Sequence, residues 1–222
     1  MRLRKKWWAV PEMKENAQVI FNAENLKGKW NEEFKNNNPI NLELGCGKGK
    51  FISEIAEINK DINYCILDLD TNAIVYATRK IRDLELLNVR AIPTNIEKID
   101  EIFNENSISR IYINFCNPWP KKRHIKRRLT SENFLKVYIW MLRSGGFVEF
   151  KTDHRELFDF SVESFKTFSH EGSKFILEEV NYDLHGKSKA LDDTSDIITT
   201  EYEKKFLSRG ASIHFLRARL YK

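Results

Sequence analysis

Along the 222 residues the spacing of apolar positions switches between two and about 3.6, marking strands and helices in turn. Residues 40–44 read as a short strand that opens into the glycine-rich stretch 45–49 (GCGKG), and from Lys50 onward Phe51, Ile52, Ile55, Ala56 and Ile58 recur at helical spacing. The unit is strand, glycine loop, helix. The same alternation continues as strand 63–68 and helix 71–87, strand 89–92 and short helix 96–103, then strand 109–116. A helix starts at Ser131 and runs through Met141 and Leu142, where Gly145 and Gly146 are expected to stop it. Strand 147–153, helix 154–169 and strand 175–184 follow. After a polar segment, 185–199, expected to be mobile without a ligand, a short helix opens at Thr200, with Glu203 completing a capping box. Strand 213–221 closes the chain and is expected to lie antiparallel beside the sixth. Five rounds of strand and helix predict an α/β fold with a doubly wound, mainly parallel sheet.

Residues 1–38 break this rhythm, with Trp7, Trp8 and Trp30 set among polar residues and no strand alternation. They predict a basic arm with short helical pieces, either covering the domain or contacting RNA, followed by a core over 39–222, the whole forming one domain. Apolar residues make up 41% of the chain and charged residues 31%, ordinary values for a globular protein, and no apolar run reaches membrane-spanning length. A soluble, cytoplasmic protein with no membrane partner is expected. Cys46, Cys65 and Cys116 lack metal-ligand spacing and read as reduced, packed thiols, so no metal is expected.

Net charge is +5 and is unevenly placed, concentrated in residues 2–6 and 121–128, while acids crowd 97–105 and 192–196. Two basic islands favour a polyanionic partner. The second island follows the apolar run 110–116 through an Asn117-Pro118-Trp119-Pro120 turn. Each proline fixes its own φ and pushes the preceding residue toward extended backbone, so the turn leaves its strand in a constrained direction. An aromatic ring held beside clustered cations suits a nucleic-acid base and its phosphates, against the plainer role of a solvated loop.

Three further features converge on the carboxyl ends of strands, where open α/β sheets bind ligands. Glycines at 45, 47 and 49 permit unusual φ and bring backbone close to a ligand at a helix N-terminus. Their E-x-G-x-G-x-G spacing departs from the dinucleotide G-x-G-x-x-G pattern and matches that of S-adenosylmethionine (SAM) methyltransferases. Asp68, at the tip of the second strand, is placed to accept ribose hydroxyls, with Asp70 as a competing candidate at the next helix's entry. Asn95 ends the third strand and Asp153 the fifth. Taken singly, Glu43 is a polar strand residue, Asp153 a cap before His154, Lys121 a solvated cation, and Thr200 with Glu203 a cap.

Taken together, residues 39–49, 114–124, 150–153 and 200–203, with 1–7 and 26–30 at the N-terminus, closely resemble the bacterial tRNA (guanine-N7)-methyltransferase family of the TrmB type, over nearly the whole chain. The resemblance implies a seven-stranded Rossmann-like methyltransferase, mostly parallel with helices on both faces and an antiparallel final strand. It implies methyl transfer from SAM, giving S-adenosylhomocysteine, to N7 of guanine 46 in the tRNA variable loop; whether the chain acts as a monomer or homodimer is left open by the sequence. By position it assigns Glu43, Gly45, Gly47, Gly49, Asp68, Asn95 and Asn117 to the SAM site. Asn117 also falls on the catalytic position. It assigns Lys121, Asp153, Thr200, Glu201, Tyr202 and Glu203 to substrate, and Arg123, His124, Lys126, Arg127 and Arg128 to RNA. Asn95 and Asn117 stand where the family usually has aspartate. Asparagine keeps an acceptor and loses the charge, so a slowed enzyme is expected, with a non-catalytic tRNA-binding homologue or a small-molecule methyltransferase as alternatives.

Overall fold

The computed structural model describes residues 6–186 and 200–222, and the side chains of Glu201 and Lys204 are outside that description. Arg2, Arg4 and Lys5 of the arm, and residues 187–199 of the polar segment, lie outside the described residues. The chain divides into two compact units, Met1–Phe103 and Asn104–Lys222.

In the first unit, strands β1 (Ile40–Leu44), β2 (Asn63–Leu67) and β3 (Val89–Ile92) pair in parallel, with β2 in the middle. Every residue of β1 and β2 is buried, as expected of parallel strands covered on both faces. The N-terminal segment forms helices α1 (Ala9–Lys14) and α2 (Trp30–Phe34) joined through a 3-10 turn at Ala23–Leu26, matching the short helical pieces expected there. Trp30 is buried and stacks on Phe103 at 5.2 Å. Lys6 is engaged as well: its amide donates to Asn72 Oδ1 at 2.7 Å and its ammonium to the Tyr76 hydroxyl at 2.8 Å.

Helix α3 (Lys50–Ile58) buries Phe51, Ile52, Ile55 and Ala56, and leaves Ile58 exposed. Helix α4 (Thr71–Asp83) is capped by Asp70, whose Oδ1 accepts from Asn72 N at 2.9 Å. It stops short of the expected Leu87. Glu85 adopts φ 53°, its amide bonds to Arg82 O, and Leu86 N bonds to Ile81 O at 3.0 Å, a Schellman closure made with glutamate where glycine is usual. The expected helix 96–103 divides into a 3-10 turn, Ile96–Lys98, and α5 (Ile99–Ile102).

The second unit contains β4 (Ile108–Asn114), α6 (Glu132–Met141), β5 (Leu142–Thr152), α7 (Arg155–Thr167), β6 (Ser169–His170), β7 (Ser173–Asn181), α8 (Glu201–Leu207) and β8 (His214–Tyr221). Strand β5 pairs in parallel with β4, and β8 lies antiparallel between β5 and β7, as expected for a reversed last strand. Among the described residues there are eight strands where seven were expected, the additional one being the two-residue β6 hairpin partner of β7. Gly145 and Gly146 do not cap α6. That helix ends at Met141 and runs directly into β5, where the glycines accompany a register shift opposite Ile108 and Arg110. A Cβ on Gly146 would lie 2.9 Å from the carbonyl oxygens of Arg143 and Ser109, so only glycine fits that crossing.

Candidate active site

The glycine loop leaves β1 with Gly45, Gly47 and Gly49 all at positive φ, from 54° to 82°. Three bonds tie it to the end of the next strand: Gly45 N and Cys46 N donate to Leu67 O at 2.8 and 3.2 Å, and Gly47 N to Asp68 Oδ2 at 2.9 Å. The other carboxylate oxygen, Oδ1, accepts from Asp70 N at 2.8 Å. Partial burial raises the Asp68 pKa, and those amide bonds oppose the shift. Gly49 is the N-terminal cap of α3, and a Cβ there would meet Ala77 Cβ at 2.5 Å. At Gly45 and Gly47 a Cβ would meet nothing within 4 Å. The loop therefore keeps open space in front of two glycines and closes against α4 behind the third, a cradle that admits a ligand close to backbone. Glu43 lies buried just before it, and burial raises the thiol pKa of Cys46, with Asp68 and Glu43 adding to the shift. Asn95 Oδ1 accepts from Glu97 N at 3.1 Å, capping the 3-10 turn, and its Nδ2 donates to Glu97 Oε2.

In the second unit, β4 delivers a strained turn. Phe115 (φ 51°) and Trp119 (φ 43°) occupy the left-handed region that bulky side chains avoid, flanking Asn117 on both sides. Phe115 N bonds to Lys151 O at 2.9 Å, and Asn117 Oδ1 accepts from Trp119 N at 3.1 Å, so each unusual residue is held by a bond. Asn117 itself is exposed. The Trp119 ring meets His124 edge-on at 5.4 Å and carries the Arg127 guanidinium 5.2 Å from its centroid. Lys121, Lys122, Arg123, Lys126 and Arg127 are exposed around a 3-10 turn, Lys122–Arg127. Arg123 Nε donates to His124 Nε2 at 3.2 Å.

Tyr202 stacks on Phe115 with centroids 6.3 Å apart and planes at 24°, which brings the segment at the start of α8 to the Asn117 turn. No sequence pattern pointed to Phe115 or to Phe206, which stacks beneath it at 6.0 Å.

The family model described as "Putative methyltransferase" matches residues 37–216. A tRNA (guanine-N(7)-)-methyltransferase from Clostridium tetani is 52% identical over 220 residues, covering 99% of this chain and all of that one. Another so named, from Clostridium botulinum, is 49% identical with the same coverage. The chain belongs to the tRNA (guanine-N7)-methyltransferase family. Among solved structures, the 16S rRNA methyltransferase KamB aligns at TM-score 0.62 with 12% identity, covering 88% of this chain and 94% of that one. The 30S ribosomal A1408 methyltransferase from an uncultured bacterium aligns at 0.58 with 16% identity, covering 86% and 92%. These structural likenesses establish the fold, a Rossmann-like methyltransferase α/β architecture, mostly parallel with antiparallel C-terminal strands.

Three family-assigned positions sit differently from expectation. Arg128 was expected on the RNA-facing surface but is buried: Nε donates to Pro118 O at 3.1 Å and the guanidinium lies 4.5 Å over Phe160, so it braces the Pro118-Trp119 turn from within. Thr200 and Glu203 were expected to touch substrate and are buried as well. They form the reciprocal capping box of α8, with Glu203 N donating to Thr200 Oγ1 at 2.9 Å and Thr200 N to Glu203 Oε2 at 3.0 Å. Asp153 is not the cap of α7, because His154 Nδ1 accepts from Leu157 N at 3.2 Å in that role. Asp153 stays partly exposed at the end of β5 without a hydrogen bond to the described residues. Tyr202 and Lys121 are exposed.

Proposed function

We propose that the chain transfers the methyl group of SAM to N7 of guanine 46 in the variable loop of tRNA, in the cytoplasm. The observation that carries this reading is the Asn117 turn, strained on both sides and bordered by exposed cations, in a chain half identical to proteins named for this activity. When bound, SAM supplies a methyl group activated on a sulfonium centre. The open faces of Gly45 and Gly47 and the Asp68 carboxylate fit such a group, which needs close backbone approach and an acceptor for ribose hydroxyls.

Guanine N7 presents an in-plane lone pair and carries no proton, so the protein's task is alignment rather than proton abstraction. Asn117 spends one lone pair of its amide oxygen on Trp119 N and retains a second lone pair and its Nδ2 for substrate or cofactor. Lys121, Arg123, His124, Lys126 and Arg127 offer the tRNA backbone a run of donors, while Asp153 and Tyr202 face the substrate. A neutral Asn117 gives less stabilisation than a carboxylate to the cationic guanine that forms. The test is incubation with unmodified tRNA and SAM, with 7-methylguanosine at position 46 read by mass spectrometry. Absence of product from the protein itself, beside an Asn117→Asp variant that forms it, would overturn this reading.

A further inference from the structure

The carboxylate of Glu203 does more than cap a helix. It is fully buried, and besides Thr200 N it meets His185 Nε2 at 2.6 Å and Lys151 Nζ at 3.9 Å. A capping box needs neither partner, and a glutamate is almost never fully buried unless it is paired. Lys151 is itself buried, 5% exposed at its side chain, and its ammonium makes no hydrogen bond to the described residues, so its charge is offset by the nearby carboxylates of Glu203 and Glu149 and by the Phe215 ring, 5.9 Å away. Three separate segments thus meet at one carboxylate: the end of β5, the turn after β7, and the first turn of α8.

Lys151 links this cluster to the turn in a second way. Its side chain reaches Glu203, while its carbonyl accepts from Phe115 N at 2.9 Å, and it stands beside Asn114 in the β4–β5 register. Tyr202, next to Glu203, stacks on Phe115, two residues before Asn117. Moving the first turn of α8 therefore moves one partner of that stack.

We propose that Lys151 and His185 are positioning residues for methyl transfer, acting through Glu203 to hold Tyr202 against Phe115 beside Asn117. This rests on the tRNA-methyltransferase reading above. Neither residue touches guanine. Each fixes the geometry of groups that do.

The experiment compares Lys151→Met, Lys151→Arg, His185→Ala and His185→Gln in steady-state kinetics with tRNA, alongside SAM affinity and amide hydrogen exchange at Thr200 and Glu203. Lys151→Met is expected to lower kcat on the order of 10-fold to 100-fold, because small displacements of reacting groups are costly. SAM affinity should be unchanged. Lys151→Arg keeps the charge and should recover part of kcat, His185→Gln should exceed His185→Ala, and exchange at both amides should quicken in Lys151→Met. If Lys151→Met does not fold, the neutral pair Lys151→Met with Glu203→Gln replaces it and is expected to fold with the same kcat defect. Wild-type kcat in a folded Lys151→Met or paired variant overturns the proposal, as does an arginine variant no better than the methionine one. Should the wild-type chain make no 7-methylguanosine, the reaction reading fails on its own, and unchanged amide exchange in the folded methionine or paired variant still overturns the positioning role of Lys151.

Discussion

The glycine loop and the Asn117 turn are both tight connections at strand ends, yet they are built in opposite ways. The loop places unusual φ on glycine, where it costs little, and satisfies its amides inward on Leu67 and Asp68. The turn forces Phe115 and Trp119 into the same region of φ, at a cost of order 1–3 kcal/mol each, and holds them with Lys151 O, Asn117 Oδ1 and the Arg128 guanidinium. Under the proposed function, backbone would approach a small cofactor in the first case. In the second, under the same proposal, the exposed cations that follow the strained turn would meet the tRNA backbone.

Substituting the glycines sharpens this contrast most. Gly49→Ala drives a Cβ into Ala77 in the left-handed region and is expected to cost about 1–3 kcal/mol or more of stability in urea unfolding. Gly45→Ala faces open space, so its larger effect is expected on SAM affinity by calorimetry, with a smaller loss of stability from its φ of 82° alone. Equal stability losses for the two would break the distinction between scaffold and cradle.

On the turn, Asn117→Asp introduces a charge that, under the proposed function, lies near the reacting purine, with an expected gain from several-fold up to ~10²-fold in single-turnover rate. A slower variant would mean that the neutral amide is the better fit here. Arg127→Ala and Arg128→Ala should separate next. The exposed Arg127 is expected to reduce the slope of tRNA binding against log salt by about one. The buried Arg128 should cost about 1.5–3 kcal/mol of folding stability through its lost bonds to the turn, with little change in slope. Thr200→Ala, which removes one side of the capping box, should cost about 1 kcal/mol, seen in thermal melting.

The smallest effect is on pH. Burial raises the pKa of Asp68, and of Glu149 against the pull of Arg110 and Arg217. Between the ordinary carboxylate range and those raised values the folded chain binds more protons than the unfolded one, so stability falls as pH rises through that window. Urea midpoints of the SAM-free protein should show this slope, and Asp68→Asn should flatten it. A rising slope would show that other carboxylates dominate.

Strands 40–44 and 89–92 were legible to the residue, because apolar residues at alternate positions (Ile40, Leu42 and Leu44; Val89 and Ala91) bounded by turn residues mark a strand. Helix α4 was overextended since its stop signal is a Schellman closure on Glu85, invisible to a search for glycine. At Gly145 and Gly146 the opposite error arose: glycine signalled a helix end, but the reason for it was the close approach of Ser109 O from a neighbouring strand. The site followed the same pattern. Asp68, Asn117, Lys121 and the capping box could be named from spacing and resemblance, whereas Phe115, Lys151 and His185 could not.

The sequence alone determined the order of strands and helices, the glycine loop, the family and the position of the basic turn, since each is a local pattern of residue type and period. Tertiary structure alone decided the direction of charge. Arg127 and Arg128 are adjacent and chemically identical, yet one faces solvent over Trp119 and the other is buried beneath Pro118. Glu203, which local pattern marks as an ordinary cap, receives His185 and Lys151 from segments 18 and 52 residues away (203 − 185 and 203 − 151). Burial and ion pairing depend on what packs from distant parts of the chain, and no local window of sequence carries that information.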